Sequence, residues 1–70
     1  MGSIAYRVND YVTKLRPRAV CDDCIADALA LSRRQQAARV SGALETTSDF
    51  VREIDECVTC HNVKKVIRRT

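Results

Sequence analysis

The stretch Cys21-Asp22-Asp23-Cys24-Ile25-Ala26-Asp27-Ala28-Leu29-Ala30-Leu31-Ser32-Arg33-Arg34-Gln35 decides how this chain folds. It opens with two cysteines that flank two aspartates. Acidic groups suit the first turn of a helix, where they complement its dipole. Ile25, Ala28 and Leu29 then form an apolar stripe at helical spacing, with Leu31 just beyond. A helix is therefore expected to open at Cys21 or Asp22. Ser32 interrupts it, and Ser32-Arg33-Arg34-Gln35 reads as a capping box that starts a further helix over 33–44. That helix has an inner stripe of Ala37, Val40 and Leu44. Its outer side carries Arg33, Arg34, Gln36 and Arg39, and Gly42 weakens it near the end.

Upstream, Ile4, Val8, Tyr11, Val12 and Leu15 lie on one helical face. Ser3 can cap the start. Pro17 ends this first helix near Leu15 or Arg16, because a residue before proline avoids the helical region. Downstream, the residues 46–49 are polar and turn-like. Phe50, Arg52 and Ile54 then alternate with Val51, Glu53 and Asp55, the pattern of a strand. Val63, Val66 and Ile67 among basic residues predict a second strand over 63–68. Between them lies Cys57-Val58-Thr59-Cys60-His61-Asn62, the turn of a hairpin. The expected order is helix, helix, helix, strand, strand, in one small α+β domain over 1–70.

A chain of 70 residues with no Trp, one Phe and two Tyr builds a thin core. At this size only roughly 60% of the unfolded surface is buried, and small scaffolds usually need a staple. The cysteines supply one. Two C-x-x-C pairs, Cys21/Cys24 and Cys57/Cys60, are separated by 32 residues. Four thiolates in two such pairs suit tetrahedral zinc in a closed, structural site with no open position. Cys21 at a helix start gains thiolate character there. The expected cofactor is one structural Zn2+ on Cys21, Cys24, Cys57 and Cys60. The spacer is longer than the roughly 15–20 residues of the common ribbon pattern.

Other readings of the same residues stay open. Cys57-Val58-Thr59-Cys60-His61 matches the c-type haem attachment pattern, with His61 as axial ligand. Against it, haem attachment belongs outside the cytosol, Met1 is the only methionine, and the first pair goes unexplained. Iron on four cysteines shares the spacing of rubredoxin-like proteins, but the glycine after each pair is missing. A thiol redox role, structural disulfides and unliganded pairs complete the set. His61 reads as a bystander or a supporting group, because ligation directly after Cys60 is geometrically awkward.

The net charge is +3, from twelve basic and nine acidic residues. The basic residues cluster in 33–39 and 64–69, whereas 45–56 is acidic apart from Arg52. An enzyme is not expected: there is a single histidine, and Gly2 and Gly42 are the only glycines, so neither a Ser-His-acid set nor a phosphate loop can form. The start lacks the apolar segment of a secretory signal, and no run approaches the ~20 apolar residues of a membrane span. A cytoplasmic chain that does not engage a membrane is expected, in a compartment where thiols stay reduced.

The stretch Ile25-Ala26-Asp27-Ala28-Leu29-Ala30-Leu31-Ser32, followed by a helix rich in Arg and Gln, resembles the winged helix-turn-helix DNA-binding proteins. Ala26 stands at the small position where two helices cross, and Leu29 and Leu31 at core positions. Phe50-Val51-Arg52 and Lys64-Lys65-Val66-Ile67-Arg68-Arg69 sit where that family has a strand and a basic hairpin, the wing. The sequence departs from the family where Ala30 replaces the turn glycine and Gln36 an apolar residue. The resemblance implies three helices followed by a β-hairpin, and double-stranded DNA as partner. Arg33, Arg34, Gln36 and Arg39 would then face the major groove, where Arg reads guanine and Gln adenine. Lys64, Lys65, Arg68 and Arg69 would grip phosphates. A zinc-stabilised transcriptional regulator is the function expected. The rival expectation is a protein-interaction adaptor on the same fold, working through the acidic segment. A homodimer is compatible with a DNA binder of this size, although no coiled-coil segment is present.

Overall fold

A computed structural model of the chain describes residues 3–70; Met1 and Gly2, where the expectation of no secretory signal begins, lie outside the described residues. The elements in chain order are α1 (Ile4–Leu15), β1 (Val20–Cys21), α2 (Asp22–Ala28), α3 (Arg34–Leu44), β2 (Phe50–Glu56) and β3 (Val63–Arg69). The three strands form one antiparallel sheet in the order β1-β3-β2. The chain is thus a small α+β fold, as the sequence pattern implies, with one strand more than the pattern shows.

Helix α1 begins where Ser3 accepts a hydrogen bond from the Tyr6 N–H at 3.1 Å, satisfying one orphan donor of the first turn. Val8 and Val12, one turn apart, are fully buried, and Ile4, Tyr11 and Leu15 pack half-buried beside them. This stripe lies against α3 and β3. The helix stops at Leu15, just before the Arg16-Pro17 pair.

Strand β1 is the element that the sequence does not announce. Two residues cannot display an alternation, and both Val20 and Cys21 are buried. The strand exists because β3 offers an edge: Val20 pairs with Ile67 and Cys21 with Val66. Cys21 then serves as N-cap of α2, with extended backbone and no side-chain cap.

Helix α2 ends in a Schellman motif. Ala30 adopts φ 55°, the Leu31 N–H reaches the Ala26 carbonyl at 2.9 Å, and the Ala30 N–H reaches that of Asp27 at 3.3 Å. The turn after α2 is therefore a true left-handed turn, occupied by alanine rather than glycine. The capping box expected at Ser32 does not form. Helix α3 starts at Arg34 with Arg33 as N-cap, one residue later than the box requires, and the Ser32 hydroxyl donates to Gln36 Oε1 at 3.4 Å instead of capping with Gln35. The buried face of α3 is Ala37 and Ser41, with Val40 and Leu44 half-buried.

The hairpin is in continuous register from Phe50↔Arg69 to Glu56↔Val63. Its inner end enters the core through Phe50, Val66 and Ile67, which join Val8, Val12, Val20, Ile25 and Ala37. The core is small, and it ends against the sulfurs of Cys21 and Cys57.

Candidate metal centre

The pairing of β1 with β3 brings the two cysteine pairs together. Cys21 caps α2 and Cys24 lies in its first turn, whereas Cys57 and Cys60 bracket the turn between β2 and β3. The four Sγ atoms all lie within 4.8 Å of one another. Cys21 Sγ is 3.8 Å from Cys60 Sγ, and Cys24 Sγ is 3.7 Å from Cys57 Sγ. None of the four is in a disulfide, a bond that would need about 2.0 Å. A zinc–sulfur bond of about 2.3 Å requires a tetrahedral sulfur–sulfur edge of about 3.8 Å. These two edges meet that value and the other separations stay within 4.8 Å, so the four side chains could hold a metal ion.

The surrounding backbone is arranged for sulfur. The Cys21 N–H and the Thr59 N–H both donate to Cys57 Sγ at 3.4 Å. The turn closes through the Cys57 N–H to the Asn62 carbonyl at 3.0 Å and the His61 N–H to the Cys57 carbonyl at 2.9 Å. The Val58 N–H bonds the Ala19 carbonyl at 2.8 Å, which anchors the turn to the segment before β1. Burial opposes ionisation of Cys57, but the backbone N–H groups of Cys60, Cys21 and Thr59 outweigh it and bring its thiol down to about 6. At Cys24 burial wins, reinforced by the neighbouring sulfurs, and the thiol is pushed well up; burial also raises Cys21. A divalent cation reverses that balance by holding all four sulfurs as thiolates. Cys21 and Cys57 are buried, Cys24 is half-buried and Cys60 is exposed. His61 stands apart from the sulfur group: its Nδ1 lies 2.9 Å from Glu56 Oε2 on the exposed side, at a backbone φ of 63°.

Asp22 and Asp23 begin α2 as expected, and they also hold the fold together. The Asp22 carboxylate accepts from the Ser41 hydroxyl at 2.8 Å and forms an ion pair with Arg52. Both charged side chains are nearly buried, at 14% and 12% exposure. Arg52 Nε is buried and has no partner among the described residues. This network joins α2, which Cys21 caps and which carries Cys24, to α3 and to β2. The sequence signal was incomplete: Arg52 is the single cation in an acidic segment and Ser41 sits on the inner side of α3, but nothing local links either to Asp22. Asp23 is more open. Lys64 lies 2.7 Å from it and Arg34 3.5 Å, and the Lys64 ammonium is the main cause that holds its carboxyl below the ordinary value.

The eight basic and polar residues expected on DNA divide into two groups. Arg33, Gln36 and Arg39, together with Ser32 and Gln35, line a shallow groove of about 410 Å³ on the outer side of α3. Arg33 and Arg39 are exposed and have no side-chain partner among the described residues. Arg34 faces elsewhere, into a groove of about 320 Å³ with Asp22, Asp23, Arg52, Lys64 and Lys65. On the hairpin most cations are already engaged. Lys64 is on Asp23, Arg68 Nε is 3.0 Å from Glu53, and Arg69 lies over the Phe50 ring at 5.3 Å and donates to Thr13. Lys65 alone of this set has no partner among the described residues.

No protein-family model, no curated protein and no solved structure matches the chain. Among the described residues, no helix is long and apolar enough to cross a membrane.

Proposed function

We propose that this chain is a non-enzymatic DNA-binding domain, stapled by one structural zinc ion on Cys21, Cys24, Cys57 and Cys60, that regulates transcription. The zinc assignment follows from the donor set. Four sulfurs within 4.8 Å of one another, with two facing pairs at 3.7 Å and 3.8 Å, favour a soft or borderline cation in a closed site. When bound, the ion would tie the start of α2 to the hairpin, and its binding energy would be folding energy.

The observation that carries DNA binding is the free, acid-free outer face of α3. Arg33 and Arg39 extend into solvent with Gln36 between them, donor groups of the kind that reach base edges and phosphates. Three helices followed by a hairpin, with α2 packed on α3, agree with the winged helix-turn-helix resemblance. Of the hairpin cations, Lys65 is poised for phosphate, whereas Lys64, Arg68 and Arg69 must first leave their internal partners.

A salt series with duplex DNA tests the reading. Affinity should fall with salt by a slope of about −0.9 per phosphate neutralised. The double change Arg33→Ala and Arg39→Ala should abolish binding and preserve the circular dichroism spectrum. Duplex affinity that survives this change removes α3 as the recognition element.

A second reading, a protein-interaction adaptor, has one observation in its favour. β2 is an edge strand, and near the end of the hairpin Ile54 and Val63 are 68% and 72% exposed beside Asp55 and Glu56. Salt-insensitive capture of a protein partner, lost on Ile54→Asp, would favour it over DNA.

A further inference from the structure

Cys60 differs from the other three cysteines in exposure: it is the exposed one, whereas Cys21 and Cys57 are buried and Cys24 is half-buried. Cys60 Sγ is therefore the sulfur that an oxidant in solution reaches first. Cys21 Sγ lies 3.8 Å from it, and Cys24 Sγ lies 3.7 Å from Cys57 Sγ. Both contacts run between the two halves of the site, from α2 to the hairpin.

We propose that Cys60 is a site of oxidation by hydroperoxides, and that the product is a Cys21–Cys60 disulfide joining α2 to the hairpin. The Cys60 sulfur attacks the outer peroxide oxygen, the O–O bond breaks, and the leaving alkoxide or hydroxide takes a proton. Cys60 is then a sulfenic acid. The Cys21 sulfur attacks the Cys60 sulfur, the S–O bond breaks, and hydroxide leaves as water. Two thiols lose two electrons and two protons, and the hydroperoxide becomes an alcohol and water. The chain keeps a link between its halves, now covalent, at the point where a metal would lose two of its four ligands. A disulfide within either C-x-x-C pair would leave the halves unjoined. The inference needs only the placement of the sulfurs and not the identity of the metal.

Trypsin makes the outcome legible. It cleaves after Arg18, Arg33, Arg52 and Lys64, so Cys21 and Cys24 fall in fragment 19–33 and Cys57 and Cys60 in fragment 53–64. The protein as purified is treated with an equivalent of hydrogen peroxide, blocked with iodoacetamide and digested without reduction. The expected result is a single species in which these fragments are joined at Cys21 and Cys60, with loss of two of the four free thiols. Separate fragments that each carry an internal disulfide, or linkage only through Cys24 and Cys57, would overturn the proposal. In parallel, limiting iodoacetamide without peroxide should label Cys60 first, and equal labelling of all four would also overturn it. Joined fragments from a protein that carries no metal as purified would refute the zinc reading and leave this one standing. Zinc-loaded protein that yields only internal disulfides would do the reverse.

Discussion

The Cys21 backbone N–H donates to Cys57 Sγ at 3.4 Å, across 36 positions of chain. This one contact joins the start of α2 to the hairpin turn. The same residue is the end of β1, paired with Val66, and the N-cap of α2. The sheet edge therefore sets the position of the first cysteine pair relative to the second.

Removal of metal should unfold most of the chain. The apolar core is small, and it ends at the sulfurs themselves. Circular dichroism before and after a strong chelator, with native mass spectrometry of both samples, measures this. Cys57→Ser should be the more damaging single change, because that buried sulfur accepts two amide N–H groups. Cys60→Ser, at the exposed corner, should retain more structure. A chelated protein that keeps its helical signal and melts cooperatively would sink the metal assignment.

Arg52→Met should destabilise the protein. It leaves the Asp22 carboxylate nearly buried with only the Ser41 hydroxyl to satisfy it. Breaking a buried pair costs about 3–5 kcal/mol, and the residual solvent access here points to the lower end, about 3 kcal/mol. Urea unfolding of both proteins gives the difference. The paired change Asp22→Asn with Arg52→Met should recover part of the loss, since no charge is then left unpaired.

Asp23→Asn should raise affinity for duplex DNA and steepen its salt dependence. The change frees Arg34 and Lys64, which Asp23 now holds at 3.5 Å and 2.7 Å. Its effect on stability should be small, because exposed pairs contribute little. The pH behaviour has a definite sign. The folded carboxyl lies below its ordinary value of 3.8, so the stabilisation is present above that value and is lost as the pH falls through the lower, folded one. Unchanged affinity in the variant would show that the groove beside α2 plays no part in DNA binding.

Ala30→Gly should raise the melting temperature slightly. Alanine at φ 55° bears the left-handed penalty of a residue with a Cβ. That penalty is about 1–2 kcal/mol, against about 0.4–1 kcal/mol of unfolded-state freedom that glycine adds, for a net gain of about 0.5 kcal/mol. A lower melting temperature would mean that the Ala30 methyl packs usefully on its neighbours.

The helices were legible where the signal is local. Ser3, the Ile4–Leu15 stripe and Pro17 bound α1 at the residues expected, because capping and apolar period act within a few positions. The same reasoning missed at Ser32, where the turn after α2 shifts the start of α3 to Arg34 and takes Gln35 out of capping range. β2 and β3 were visible as alternation and as an apolar-basic run. β1 was not, since two buried residues carry no period.

The four candidate ligands could be read from spacing, because two cysteines three positions apart can present their sulfurs to one ion. The sequence by itself therefore determined the three helices, the hairpin and which four sulfurs could meet. Tertiary structure decided what those residues do to one another. It placed the two cysteine pairs within a tetrahedral edge of each other by pairing β1 with β3. It buried Asp22 against Arg52 and Ser41, left Arg33 and Arg39 exposed, and engaged Lys64, Arg68 and Arg69 with internal partners. The physical reason is range. Capping, helical period and ligand spacing are set by neighbours within about one turn, whereas sulfur–sulfur distances, buried ion pairs and the exposure of a cation depend on residues tens of positions apart that only the closed fold brings together.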